Sequence, residues 1–190
     1  TVASSCENCI ARKWRMFCSG LALFRFKHGY VVCFIFIVIL YWRKVRFSNT
    51  AYALMFVLPF LHTIGGHYTF EHVPFDWFNN LFGFERNMFD RVGHFSVGFY
   101  ALPIIEYLNM KNLVNKKSVS ISYAIFAIAF VAVFYEWIEW YYAVTDGGSA
   151  GIAFLGSQGD IWDAQKDMLM DVSGAVLTSI IYIVTSWNKK

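Results

Sequence analysis

Proline is scarce in this chain, charge is sparse, and cysteine is confined to one end. There are three prolines in 190 residues, and only 15% of residues are charged. All four cysteines, Cys6, Cys9, Cys18 and Cys33, fall in the first 33 residues, so no disulfide framework can hold the remainder. Cys6-Glu-Asn-Cys9 has no second CxxC or CxxH to complete a zinc site. The net charge of +3 is small and forms no basic nucleic-acid surface, which excludes a nucleic-acid partner. A soluble domain is also disfavoured. The chain is 57% apolar and 20% aromatic, well above the usual share.

What is present is a series of apolar runs approaching the ~20 residues that cross a bilayer. Tyr30 to Trp42 is short for a span unless it begins near Leu21. Thr50 to Gly66, Asp90 to Tyr107, Val119 to Val144 and Asp163 to Trp187 follow. Pro59 interrupts the first of these four, so one backbone carbonyl must find another partner. The predicted fold is all-α, a polytopic transmembrane bundle of five to six helices. Residues 1–28 form a poorly defined N-terminal segment, the remnant of a first helix, and residues 29–190 the transmembrane domain. The chain opens on Thr1 and reads as a fragment or a processed form.

The charges sort by loop. Arg43, Lys44 and Arg46 follow the first run, Lys111, Lys116 and Lys117 follow the third of the five, and Lys189 and Lys190 end the chain. The other connections hold the acids. By the positive-inside rule the basic loops and the C-terminus are cytoplasmic and the acidic loops face outward. Asn115 and Gly148 then fall on opposite sides of the membrane.

Polar residues gather at the outward ends. They are His62 and His67; Asp90 and His94, spaced by four; Glu136 and Glu139, spaced by three; and Gln158, Asp160, Asp163, Asp167 and Asp171. Asp163, Asp167 and Asp171 share one helical face. From the rise of about 1.5 Å per residue, His94 lies roughly 6 Å inside its loop edge, Glu139 roughly 10 Å and Asp167 roughly 6 Å. They can therefore meet in one cavity. Each has a plainer reading as well. His62 could bond a neighbouring helix, Asp90 and either Asp160 or Asp163 could be N-caps, and the tryptophans and tyrosines around Glu136 and Glu139 fit an interfacial belt. Glutamates that deep in a span are rare without a role.

So many acids in low dielectric require shared protons or a bound cation. Oxygen ligands with one histidine suit Mg²⁺, Mn²⁺ or Zn²⁺. The expected ligands are His94, Glu136, Asp163 and Asp167, with Glu139 or His94 as general base.

Several separated motifs resemble the YjdF family of uncharacterised bacterial inner-membrane proteins: Leu61-His62, Gly65-Gly66 with Tyr68-Thr69, Val73-Pro74, Asp90-x-x-Gly93-His94-Phe95, Tyr135-Glu136-x-x-Glu139-Trp140, and Leu155-Gly156-x-Gln158-Gly159-Asp160-x-Trp162-Asp163-x-Gln165-x-Asp167-Met168. The likeness runs from about Arg46 to the C-terminus. It implies about six membrane helices in a bacterial inner membrane. A weaker similarity, to VanZ-like membrane proteins, is carried by Asp90 and His94, Glu136, and Asp163 and Asp167 with Gly174. Neither family implies an activity. Three functions therefore compete: metal-dependent chemistry on a lipid or lipid-linked head group, a small proton-coupled transporter or exporter, and an accessory membrane subunit whose polar cluster locks helices together. The expected partner is membrane lipid. A homodimer would answer the objection that the chain is small for a transporter.

Overall fold

A computed structural model describes residues 45–145 and 157–186 of the chain. The Tyr30 to Trp42 run, the CxxC pair and the boundary expected at residue 28 lie outside them. Among the described residues all regular structure is helical: α1 (Asn49–Tyr68), α2 (Asp76–Phe82), α3 (Phe89–Val97), α4 (Ala101–Met110), α5 (Lys117–Thr145) and α6 (Asp163–Ser186). Two helices, α5 and α6, are long and apolar enough to cross a membrane. Only 22% of the most apolar window of α5, and 33% of that of α6, is buried within the protein. A core helix in water would show the reverse. On α5 the exposed stripe Phe126, Phe130, Phe134, Trp137 and Tyr141 follows the helical repeat.

Helix α1 matches the Thr50 to Gly66 run closely. Its N-cap Ser48 accepts a bond from the Ala51 N–H at 3.1 Å. Glu106 of α4 holds that cap, accepting from the Ser48 N–H at 2.9 Å and its hydroxyl at 2.6 Å. Pro59 has no N–H to give the Met55 carbonyl four residues earlier, and the Tyr100 hydroxyl donates to that carbonyl instead, at 2.9 Å. The carbonyl that proline releases thereby ties α1 to the turn between α3 and α4.

The Asp90 to Tyr107 run is not one uniform helix. Pro103 likewise cannot serve the Phe99 carbonyl, and the chain tightens into a 3₁₀ turn at Gly98–Tyr100 between α3 and α4. That turn meets α6 backbone to backbone. A Cβ on Gly98 would sit 2.2 Å from the Ala175 nitrogen, and one on Gly174 would sit 2.0 Å from the Phe95 carbonyl oxygen. Small residues let membrane helices approach this closely. Ala51, Ala101, Ala124 and Ala175 extend the same close packing around Leu102, Ile105 and Ile128. At the far end Asn109 of α4 donates to Ser120 of α5 at 3.0 Å and to Tyr182 of α6 at 3.3 Å. These contacts fix α3, α5 and α6 so that the start of α3, the end of α5 and the start of α6 lie together.

The Gly98–Gly174 crossing predicts a sharp asymmetry. Gly174→Ala should destabilise the protein by about 3 kcal/mol, the upper end of overpacking, because backbone cannot move aside as a side chain can. Val176→Ala, two residues along on an exposed face, should shift the thermal midpoint in detergent little. Equal midpoints for the two variants would show that the crossing is not what holds α3 to α6.

Candidate functional site

Arg91 is 3% exposed and occupies the centre of the polar cluster. One of its terminal nitrogens pairs with the Asp167 carboxylate and also donates to the Asp163 carbonyl at 2.9 Å. The other donates to the Asp163 carboxylate at 2.6 Å and reaches Asp160 at 3.4 Å. A guanidinium fork suits such multiple acceptance better than a lysine would. Arg86 adds a second cation, 2.8 Å from Asp163 and 3.4 Å from Asp160. Lys166 adds a third, 2.6 Å from Asp160. The Lys166 hydrogen bond, helped by the Trp162 N–H, holds the Asp160 carboxyl below the usual carboxylate range.

The loop carrying Arg86 is fastened by two asparagines and a glutamine. Asn79 accepts from the Met88 N–H at 3.1 Å. The Asn87 amide donates to the Glu71 and Val73 carbonyls at 3.1 and 2.7 Å. Gln158 takes the Asn87 N–H at 2.9 Å and donates to the Asn87 carbonyl at 3.0 Å. This pairing joins the α2–α3 loop to the segment that enters α6. Gln158 is thus a fastening between loops, set apart from the deeper carboxylates.

Beneath this ion-paired layer lies a second, less compensated one. Asp90 and His94 project from one face of α3, as their spacing requires. Asp167 and Asp171 face them from α6, both buried. His94 Nδ1 lies 3.3 Å from the Asp171 carboxylate and its Nε2 lies 3.8 Å from that of Asp167. Where Asp171 is ionised it can only accept, and the proton of that bond then sits on Nδ1, with Nε2 facing Asp167. One donor atom each from Asp90, His94 and Asp167 lie within 4.8 Å of one another. Donors at about 2.0–2.2 Å around a tetrahedral ion stand roughly 3.3–3.6 Å apart, so these three would draw together by about an ångström to hold one.

Helix α5 completes the group. Glu136 and Glu139 are both buried. Glu136 is within electrostatic range of His94, Asp167 and Asp171, and Glu139 of His94 and Asp90. The Tyr135 ring meets His94 edge-on at 5.9 Å. Among the described residues, Glu136 Oε1 and Asp171 Oδ1 are buried without a hydrogen-bond partner. Buried carboxylate oxygens left so are rare and expensive.

The expected site residues therefore separate into three groups. Asp90, His94, Glu136, Glu139, Asp167 and Asp171 converge from three helices. Asp160 and Asp163 lie one turn outward, held by arginines, and Gln158 fastens the loop beside them. The two α1 histidines take no part in the Asp90–His94–Asp167 group. His62 packs against Phe70 at 5.1 Å, and exposed His67 packs against Tyr68 at 4.7 Å. Sequence reasoning did not assign Arg86 or Tyr135 to the site. Tyr135 had a signal, its spacing of four from Glu139. Arg86 had none, because it arrives on a loop with no helical register to place it.

Residues 14–188 match the model of a family described as "Predicted membrane protein (DUF2238)". The chain is also similar to "Inner membrane protein YjdF" of Escherichia coli (strain K12), with 30% identity over 143 residues, 74% of this chain and 68% of that protein. No solved structure matches.

The role of Arg91 can be tested by removing its charge. Arg91→Met should cost about 3–5 kcal/mol, since it leaves buried carboxylates without their counter-ion. Adding Asp167→Asn to Arg91→Met should recover part of that loss in thermal unfolding. A double variant as unstable as the simple sum would separate the two residues energetically.

Proposed function

The chain belongs to the DUF2238 family of predicted membrane proteins, and we propose that it is a multi-pass inner-membrane protein that binds a divalent cation at one end of its helices. Asp90, His94 and Asp167 are its ligands, and Glu136 supplies a further oxygen. The observation that carries this reading is the convergence of those three donors beside a buried Glu136 oxygen that lacks a partner. Arg91 is already committed to Asp163 and Asp167. A cation of charge two would satisfy what remains, as carboxylates and imidazole do in other helical bundles. Two carboxylates and an imidazole suit Mn²⁺, Zn²⁺ or Mg²⁺.

The likeness to the E. coli protein supports an inner-membrane location. Of a five-to-six-helix bundle, α1 and α3 continued into α4 supply two further spans. The site faces outward on this reading. Lys111, Lys116 and Lys117 lie at the opposite ends of α4 and α5 from Glu136 and His94, and basic loops stay in the cytoplasm. There the ion would polarise a phosphoryl or acyl oxygen of a lipid or lipid-linked head group. With His94 committed as a ligand, Glu139 is the base that takes a proton from the attacking water.

The test is Mn²⁺ titration of the detergent-purified chain. Wild type should bind a single ion, and His94→Ala and Glu136→Gln should each weaken binding by at least the ~10–100-fold that disturbing a metal site's supporting residues costs. Equal binding by all three proteins, or none by wild type, would leave the cluster as a helix lock and favour the accessory reading.

A further inference from the structure

The site's end of the molecule carries exposed aromatic side chains that no described contact covers. In the α2 segment Trp77, Leu81, Phe82 and Phe84 are 66%, 69%, 58% and 41% exposed. In the segment entering α6, Ile161 and Trp162 are 83% and 59% exposed. These are not frayed side chains. Phe78 stacks on Phe75 at 4.7 Å and meets Phe82 at 4.8 Å, and Phe82 meets Phe84 at 5.9 Å. Gly83, at φ +70° where a side chain would be strained, ends α2 and turns Phe84 back onto that stack. The backbone beneath Trp162 is held by its amide N–H, which donates to Asp160 at 3.1 Å. The two segments are joined by the Gln158–Asn87 pair and by Arg86 with Asp160 and Asp163.

We propose that these two segments form one membrane-interface anchor that lies in the lipid head-group region and holds the mouth of the polar site at that depth. The occupant is the lipid surface itself. Continuity is one reason. Trp137, Trp140 and Tyr141 are also exposed, at the same end of α5, and extend the lipid-facing stripe of that helix. Position is another. The α2 segment is attached at the start of α3, through Phe75 on Phe89 at 5.4 Å and the Met88 N–H on Asn79 at 3.1 Å, where α1 also packs, whereas α5 packs against α4 and α6. Exposed aromatics therefore ring more than one flank at a single level, which is the belt that tryptophan forms at bilayer interfaces. A protein partner would cover one flank. The chemistry also specifies the lipid. Residues 73–85 contain no lysine or arginine and include Asp76 and Glu85, and the adjoining Arg86 and Lys166 are paired with Asp160 and Asp163, so insertion depends on aromatic burial and not on attraction to anionic lipid. The inference rests on the membrane character of the chain and is independent of metal binding.

The experiment is spin-label depth measurement on the full chain in phosphatidylcholine vesicles, with Cys6, Cys9, Cys18 and Cys33 replaced by serine. Labels are placed by Trp77→Cys, Leu81→Cys and Trp162→Cys, with Asn115→Cys as the aqueous reference and Phe130→Cys as the hydrocarbon reference. The three test labels should collide with oxygen more than with a water-soluble nickel chelate and report a depth of about 5–10 Å, the level of interfacial segments. Nickel accessibility equal to that at Asn115 in all three would overturn the anchor. Exclusion of both reagents would also overturn it, since a second copy or another protein would then cover the surface. Because each label replaces an exposed side chain, misfolding of one variant leaves the other two to decide.

Discussion

The pairing of Arg91 with Asp163 and Asp167 is the interaction on which the arrangement of α3 and α6 depends. An aspartate stripe on the first turns of an apolar helix is unfavourable in a low dielectric. Arg91 lies opposite that stripe, so α6 can pack its charged face inward only against α3. The glycine crossing at Gly98 and Gly174 makes the distance short enough, and Asp171 thereby reaches His94. Backbone geometry at one level thus determines electrostatics a turn away.

One guanidinium does not neutralise everything it gathers. The outer layer is fully compensated, with three cations, Arg86, Arg91 and Lys166, facing two carboxylates, Asp160 and Asp163. The inner layer brings Asp90, Glu136, Glu139, Asp167 and Asp171 around a single histidine. Its Glu136 oxygen lacks a partner at a depth where that is costly. A structural lock would not need such an excess, because replacing the unpaired acids by apolar residues is neutral or stabilising in many proteins. On the proposed reading a bound cation would account for the excess. Asp171 would then orient the imidazole through Nδ1 and leave Nε2 for the ion, as carboxylates behind metal-ligating histidines do.

Much of this was legible in the residues. Helical spacing alone paired Asp90 with His94, Glu136 with Glu139, and Asp163 with Asp167, and the positions of these pairs along their runs brought them to one level. The consequence of Pro59 was legible too, although Tyr100 as its partner was not. What spacing could not supply was the rotation of one helix about another. That rotation puts Asp163 against two arginines and brings Asp90 to the group of donors instead. Nor could periodicity place Arg86, Asn87 or Gln158, whose positions follow from loop hydrogen bonds between segments 71 residues apart. The third run appeared uniform because hydropathy does not register the tightened turn that Pro103 and Gly98 impose.

The central claim is that a cation sits on His94 within the carboxylate group. Pulsed electron paramagnetic resonance of the Mn²⁺-loaded protein in detergent addresses it directly, because a coordinated imidazole nitrogen modulates the manganese echo. The account predicts histidine nitrogen modulation in wild type and its loss in His94→Ala. A spectrum of fully hydrated manganese in wild type, or nitrogen modulation that survives His94→Ala, would contradict it.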